Sequence, residues 1–195
     1  MNFLAHIYLS FDDDAIAIGN FVADSIRGNK FKHLPKRVQQ GIFLHREIDT
    51  FTDSHPIPKK SSKRLHKNYS HYSRIIVDIY YDHFLAKNWD RYSDIPLADF
   101  VERFYDLLED RYDLLPDGVK RFMPYMIADN WLFNYSNMEG ISRTLNGMDR
   151  RTKNKSKMNF AIVDLEEHYP AFEAEFTEFF EALRTFAKQK YLALK

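Results

Sequence analysis

Apolar residues recur along the chain three and four positions apart, the spacing of a helix that buries one face. Leu97, Val101, Phe104, Leu107 and Leu108 follow this rule, and so do Phe172, Phe176, Phe179, Phe180, Leu183 and Phe186. Ile75, Ile76, Ile79, Tyr80 and Phe84 form a third apolar set, expected in the core. No set of runs alternates in the way half-buried strands do. The pattern predicts helices over 2–10, 12–26, 35–52, 59–67, 70–89, 117–134, 138–145 and 169–194, with another opening at Pro96. Punctuation agrees with these segments. The Asp12-Asp13-Asp14 run suits a helix N-terminus and its dipole. Arg27-Gly28-Asn29 reads as a stop, Pro35 as a first-turn residue, and His55-Pro56-Ile57-Pro58 as a break. Pro124 is placed to bend its helix, and 150–157 reads as a basic polar loop. The expected fold is an all-α helical bundle, one domain spanning 1–195.

Composition narrows the chemistry. The chain is 45% hydrophobic and 16% aromatic, enough apolar surface for a core without staples. It has no cysteine, which excludes disulfides, thiolate zinc sites and a cysteine nucleophile. Any metal must therefore be held by His, Asp or Glu. The start, MNFLAHIYLSFDDD, has no basic residue before its short apolar stretch, unlike a secretory signal. No segment approaches the roughly 20 apolar residues of a membrane span, so a cytoplasmic location without membrane contact is expected. Nucleophile-elbow, phosphate-loop and dinucleotide motifs are absent from the sequence.

Asp and His residues set in apolar helices carry the chemical signal. His45, Asp49 and Asp53 are spaced i, i+4, i+8 and form one row on a helix. An imidazole and a carboxylate one turn apart can share a metal ion, while Asp53 can cap the helix end or orient a ligand. Asp78 and Asp82 are likewise one turn apart, with His83 about 100° further round. Asp24 ends an apolar stretch, with Arg27 three residues on to meet an anion. His6 has apolar neighbours on both sides. A single residue of this kind is ordinarily a cap, an ion pair or a hydrogen-bonded core group. One divalent cation would account for all of them together, because unpaired buried carboxylates are costly.

The sequence resembles the bacterial acyl carrier protein phosphodiesterase family. The matching pieces are Asn2-Phe-Leu-Ala-His6, Gly19-Asn-Phe-Val-Ala-Asp24 with Arg27-Gly28, His45-Arg-Glu-Ile-Asp49 with Thr52-Asp53, Asp78 with Tyr81-Asp-His-Phe-Leu85, Asn130-Trp131-Leu132 and Leu145-Asn-Gly-Met148. Such enzymes are similar to the all-helical HD-type metal-dependent phosphohydrolases, so the resemblance implies an HD-domain-like bundle. It also implies hydrolysis of holo-acyl carrier protein to the apo form and 4′-phosphopantetheine. The implied cofactor is a divalent cation, manganese first, with Mg²⁺, Co²⁺ or Fe²⁺ as alternatives. By position it assigns Asp24, His45, Asp49, Asp82 and His83 to the metal. Asp24, Arg27 and Asp49 take catalytic roles, and His6, Asp53 and Asp78 are further candidates. The adjacent pair Asp82-His83 reverses the usual His-Asp order.

Acyl carrier proteins are acidic, so a substrate of this kind calls for a basic docking surface. Two segments qualify: Lys59, Lys60, Lys63, Arg64 and Lys67, and Arg150, Arg151, Lys153, Lys155 and Lys157. Lys and Arg together equal Asp and Glu at 28 each, so net charge names no partner. Two other functions fit the same residues. One is an HD-like nucleotide phosphohydrolase, and the other is a non-catalytic binder of an acidic protein. Nucleic acid is not the expected partner, because the basic clusters lack interleaved aromatics beyond Tyr69 and Tyr72.

Overall fold

A computed structural model describes residues 1–194, and no strand occurs among them. The helices are α1 (Phe3–Tyr8), α2 (Asp14–Val22), α3 (Lys36–Ser54), α4 (Pro56–Tyr69), α5 (Ser73–Lys87), α6 (Leu97–Asp110), α7 (Asp117–Ala128), α8 (Trp131–Asn134), α9 (Met138–Arg151), α10 (Ala161–Glu167) and α11 (Tyr169–Ala193). The all-α expectation holds. None of these helices is long and apolar enough to cross a membrane.

Three departures from the predicted elements have local causes. The 117–134 segment breaks at Asn130 rather than at Pro124. Pro124 is tolerated inside α7, whereas Asn130 takes a left-handed conformation with φ of 45° and starts the short α8. Helix α9 runs on to Arg151, so Arg150 and Arg151 are helical and the basic loop begins after them. The sequence pattern did not reveal α10, which buries only Ala161 and Leu165. Two anchors one turn apart are too few to show a period.

The core is one apolar cluster. Tyr80, Tyr81 and Phe84 of α5 pack with Phe172, Phe176, Phe179 and Phe180 of α11, all fully buried. Ile75 leaves the predicted core set: it is 38% exposed and faces a cleft described below.

Two glycines set the close crossing of α2 and α3. A Cβ on Gly19 of α2 would lie 2.0 Å from the Val38 carbonyl oxygen, and one on Gly41 of α3 would lie 2.3 Å from that of Ile16. Only glycine permits this approach. It brings the backbones of α2 and α3 into contact, which sets the Asn20 backbone oxygen beside His45 of α3.

Helix α1 is six residues long and has no side-chain cap of its own. Asp82 of α5 supplies the missing acceptors. Its carboxylate takes the Leu4 N–H at 2.7 Å and those of Asn2 and Ala5 at 3.3 Å. The first turn of α1 is thus tied to α5, which fixes the position of His6.

Candidate metal centre

His6 from α1 and His45 from α3 lie face to face, with ring centroids 4.0 Å apart and planes 19° from parallel. Both rings are buried, with side chains 4% and 6% exposed. Asn20 of α2 holds both. Its side-chain Oδ1 lies 2.8 Å from His6 Nδ1, and its backbone oxygen lies 2.8 Å from His45 Nδ1. The amide orientation follows from its other contacts: Nδ2 donates to the His6 carbonyl at 2.7 Å and to Ser10 Oγ at 3.2 Å. Oδ1 and the backbone oxygen are therefore acceptors, so each Nδ1 carries a proton. Each Nε2 is then the free nitrogen of its ring in the neutral form.

The two Nε2 atoms face carboxylates. His45 Nε2 lies 3.0 Å from Asp49 Oδ2 and 3.1 Å from Asp24 Oδ1. His6 Nε2 lies 3.2 Å from Asp49 Oδ1 yet makes no hydrogen bond, although it is buried. An orphaned buried nitrogen aimed at a carboxylate suits a shared cation. Ligand atoms of His6, His45 and Asp49 all lie within 4.8 Å of one another. Asp24, on a 3-10 turn that follows α2, adds a fourth group with a 73% exposed side chain. A set of two imidazoles and two carboxylates suits a borderline divalent ion.

The electrostatics place one positive charge on the stacked pair, at His45. Burial lowers His6 to about 4, with the neighbouring His45 adding to the effect. Burial also acts to lower His45, but its hydrogen bonds to Asp24 and Asp49 prevail and raise it to about 9. Asp49 is held below the usual carboxylate range: burial opposes this, and the adjacent imidazoles, His45 first and then His6, outweigh it. Asp24 is lowered chiefly by its hydrogen bond with His45.

Asp24 also lines a cleft of about 970 Å³. Asp78, Ile75, Ile79 and Trp131 line it too, and α9 forms a further wall that carries Arg143, Arg150 and Arg151. Asp78 Oδ1 pairs with the Met1 amino nitrogen at 3.0 Å.

The fold therefore brings together His6, Asp24, His45 and Asp49. Asp82 and His83 lie apart from that group. Asp82 is fully buried at the start of α1, where burial pushes it up to about 7 against the pull of the amino terminus and two backbone N–H groups. His83 Nδ1 donates to the Tyr135 carbonyl at 2.8 Å, and its Nε2 meets the Tyr169 hydroxyl at 2.8 Å. Asp53 forms an exposed pair with Arg74 at 3.6 Å. Arg27 is exposed, and among the described residues it makes no ion pair.

The two basic segments also separate. Arg64 forks onto Glu175 at 2.9 and 2.7 Å, Lys60 reaches Glu175 at 3.2 Å, and Lys59 donates to the Ser54 carbonyl at 2.9 Å. Lys63 and Lys67 stay exposed. Lys153 is exposed in the loop after α9. Sequence reasoning did not single out Asn20 or Arg143. An asparagine inside the apolar run Ile18-Gly-Asn-Phe-Val22, four residues before Asp24, was the available signal for the first.

The family model described as acyl carrier protein phosphodiesterase matches residues 1–183. A curated relative named acyl carrier protein phosphodiesterase, from Enterobacter sp. (strain 638), is 35% identical, with 98% of this chain and 100% of the relative covered. The relative of the same name from Salmonella agona (strain SL483) is 34% identical over the same shares. No solved structure matches the chain.

Proposed function

The chain belongs to the acyl carrier protein phosphodiesterase family, and we propose that it hydrolyses holo-acyl carrier protein to the apo form and 4′-phosphopantetheine with the help of a divalent cation. The observation that carries the metal dependence is the convergence of His6 Nε2, His45 Nε2 and the Asp49 and Asp24 carboxylates beside the cleft. These four residues would hold the ion. When bound, a divalent cation there supplies Lewis acidity and charge neutralisation for a phosphoryl group.

The chain's own groups do the rest. Asn20 keeps both Nδ1 atoms protonated and so keeps both Nε2 atoms available. Asp49 bridges the two rings through its two oxygens. Asp24 is the most exposed of the four and presents a carboxylate to the cleft, where it can accept a hydrogen bond from the attacking water. Arg143 and Arg150 line the same cleft and offer guanidinium donors to an anionic diester. In the reaction a water oxygen bonds to phosphorus, the P–O bond to the carrier serine breaks, and the serine oxygen leaves with a proton.

The test is the mass of holo-carrier protein after incubation with the protein, with and without chelator. Loss of the phosphopantetheine mass only when metal is present is the expected result. Unchanged mass in both arms, with turnover in a parallel nucleotide panel, would instead favour a nucleotide phosphohydrolase.

A further inference from the structure

The part of the cleft lining that α9 supplies is one-sided in charge, while Asp24, Asp78 and Asp129 line it from other segments. Arg143, Arg150 and Arg151 lie along α9 at positions i, i+7 and i+8, two turns of one helix, and all line the cleft. Among the described residues none of them pairs with an acid. Arg151 touches the Met148 sulfur at 3.7 Å and lies 5.9 Å from the Trp131 ring centre, both of which leave its charge uncompensated.

The loop that follows α9 directly adds Lys153, Lys155 and Lys157, all exposed. A basic loop is often a flexible solvated face, but this one is pinned. Buried Ser156 donates to Asp149 Oδ1 at 2.7 Å, Thr152 Oγ1 lies 2.9 Å from Ser156 Oγ, and the Asn154 N–H reaches the Asp149 carbonyl at 2.9 Å. Met158, just beyond, is fully buried. Lys153, Asn154 and Lys157 take left-handed φ values of 56°, 60° and 57°, a conformation that non-glycine residues rarely adopt. The one acid of the segment, Asp149, is buried and its charge is spent inside the loop. The α4 cluster is different, because Glu175 already neutralises Arg64 and Lys60.

We propose that α9 and its following loop, from Arg143 to Lys157, are the docking face for the acidic surface of the carrier protein, and that the α4 cluster is not. This rests on the carrier-protein reading above. The wall begins in the same cleft as Asp24, so a partner held there can extend a phosphodiester arm toward the carboxylates without crossing the molecule. Six cations held in a fixed array suit a folded acidic protein, since little ordering is needed on contact.

The test compares Lys153→Glu/Lys155→Glu with Lys63→Glu/Lys67→Glu. Affinity for holo-carrier protein is measured by titration with chelator present, so that no turnover is required. The loop pair is expected to weaken binding on the order of tenfold or more, with the α4 pair within about twofold of the parent. Equal loss in both pairs, loss only in the α4 pair, or no carrier binding by the parent chain would overturn the docking face. Metal-dependent turnover of a small diester such as bis(p-nitrophenyl) phosphate is followed in parallel. Its absence in the parent, with binding and its loop dependence intact, would sink the hydrolytic reading and leave the docking face standing.

Discussion

One asparagine settles the protonation of two histidines. Removing the Asn20 amide by Asn20→Leu leaves His6 Nδ1–H without an acceptor and the His6 carbonyl with only Ser10 Oγ of its two side-chain donors. Metal affinity is expected to fall roughly 10- to 100-fold, the usual cost of losing the group that orients a ligand. Asn20→Asp keeps an acceptor for Nδ1 and should retain more of that affinity. Titration calorimetry with Mn²⁺ reads this directly, with circular dichroism as the check on folding. Equal affinity in the parent and Asn20→Leu would refute the role. Asp82 and Asp24 make a second contrast. Asp82→Ala strips an acceptor from three backbone N–H groups and should cost about 1–3 kcal/mol of stability, seen as a lower urea midpoint. Asp24→Ala should leave that midpoint near the parent and reduce turnover roughly 10²-fold or more. From the sequence these aspartates looked alike. Spacing of i, i+4 tells which residues share a helix face but not what that face meets. His45 and Asp49 face a second imidazole, while Asp82 faces the backbone of α1.

Between elements, charge and close approach decide where the helices lock. Ser61, Lys60 and Arg64 of α4 converge on Glu175 of α11, whose side chain is only 7% exposed. Burial alone would raise the Glu175 carboxyl, but the hydrogen bonds from Arg64, Ser61 and Lys60 win and hold it at about 2, below the usual 4.5. A depressed folded pKa adds stability that is full above 4.5 and is lost as pH falls toward 2. After allowance for screening at the rim, the contribution is roughly 2 kcal/mol. Glu175→Gln should therefore be clearly less stable than the parent near neutral pH. The gap should narrow steadily in urea melts taken from about pH 5 down to about pH 3. A gap that stays constant over that range would rule out ionised Glu175 as its source. Helix periodicity was legible for most of the chain because long amphipathic helices repeat their pattern many times. The crossing of α2 and α3 was not, since Gly19 and Gly41 carry no hydrophobic signal and matter only through what a side chain would strike. Nor was the α4 patch legible as spent charge, because its neutraliser lies 111 residues from Arg64.

At the scale of the whole molecule the balance of 28 cations against 28 anions hides a strong separation. Acids crowd α6, α10 and the first half of α11, while α9 from Arg143 on and its loop are basic. Exposed charges of this kind act over a Debye length of about 8 Å at physiological salt and about 3 Å at 1 M. A partner held by several such charges should feel added salt steeply, while chemistry at a half-enclosed site should feel it little. The expectation is that kcat/KM for holo-carrier protein falls on the order of tenfold or more between low salt and about 0.5 M NaCl, with most of the change in KM. Turnover of a small diester by the same preparation should change by no more than about twofold, because it needs no docking face. In the proposed mechanism the two substrates share one metal centre, so salt that displaced the cation or unfolded the protein would depress both. A fall confined to the protein substrate assigns the salt sensitivity to the surface. Parallel loss with both substrates would place it at His6, His45, Asp49 and Asp24 instead, and would remove charge steering as the reason for the basic wall.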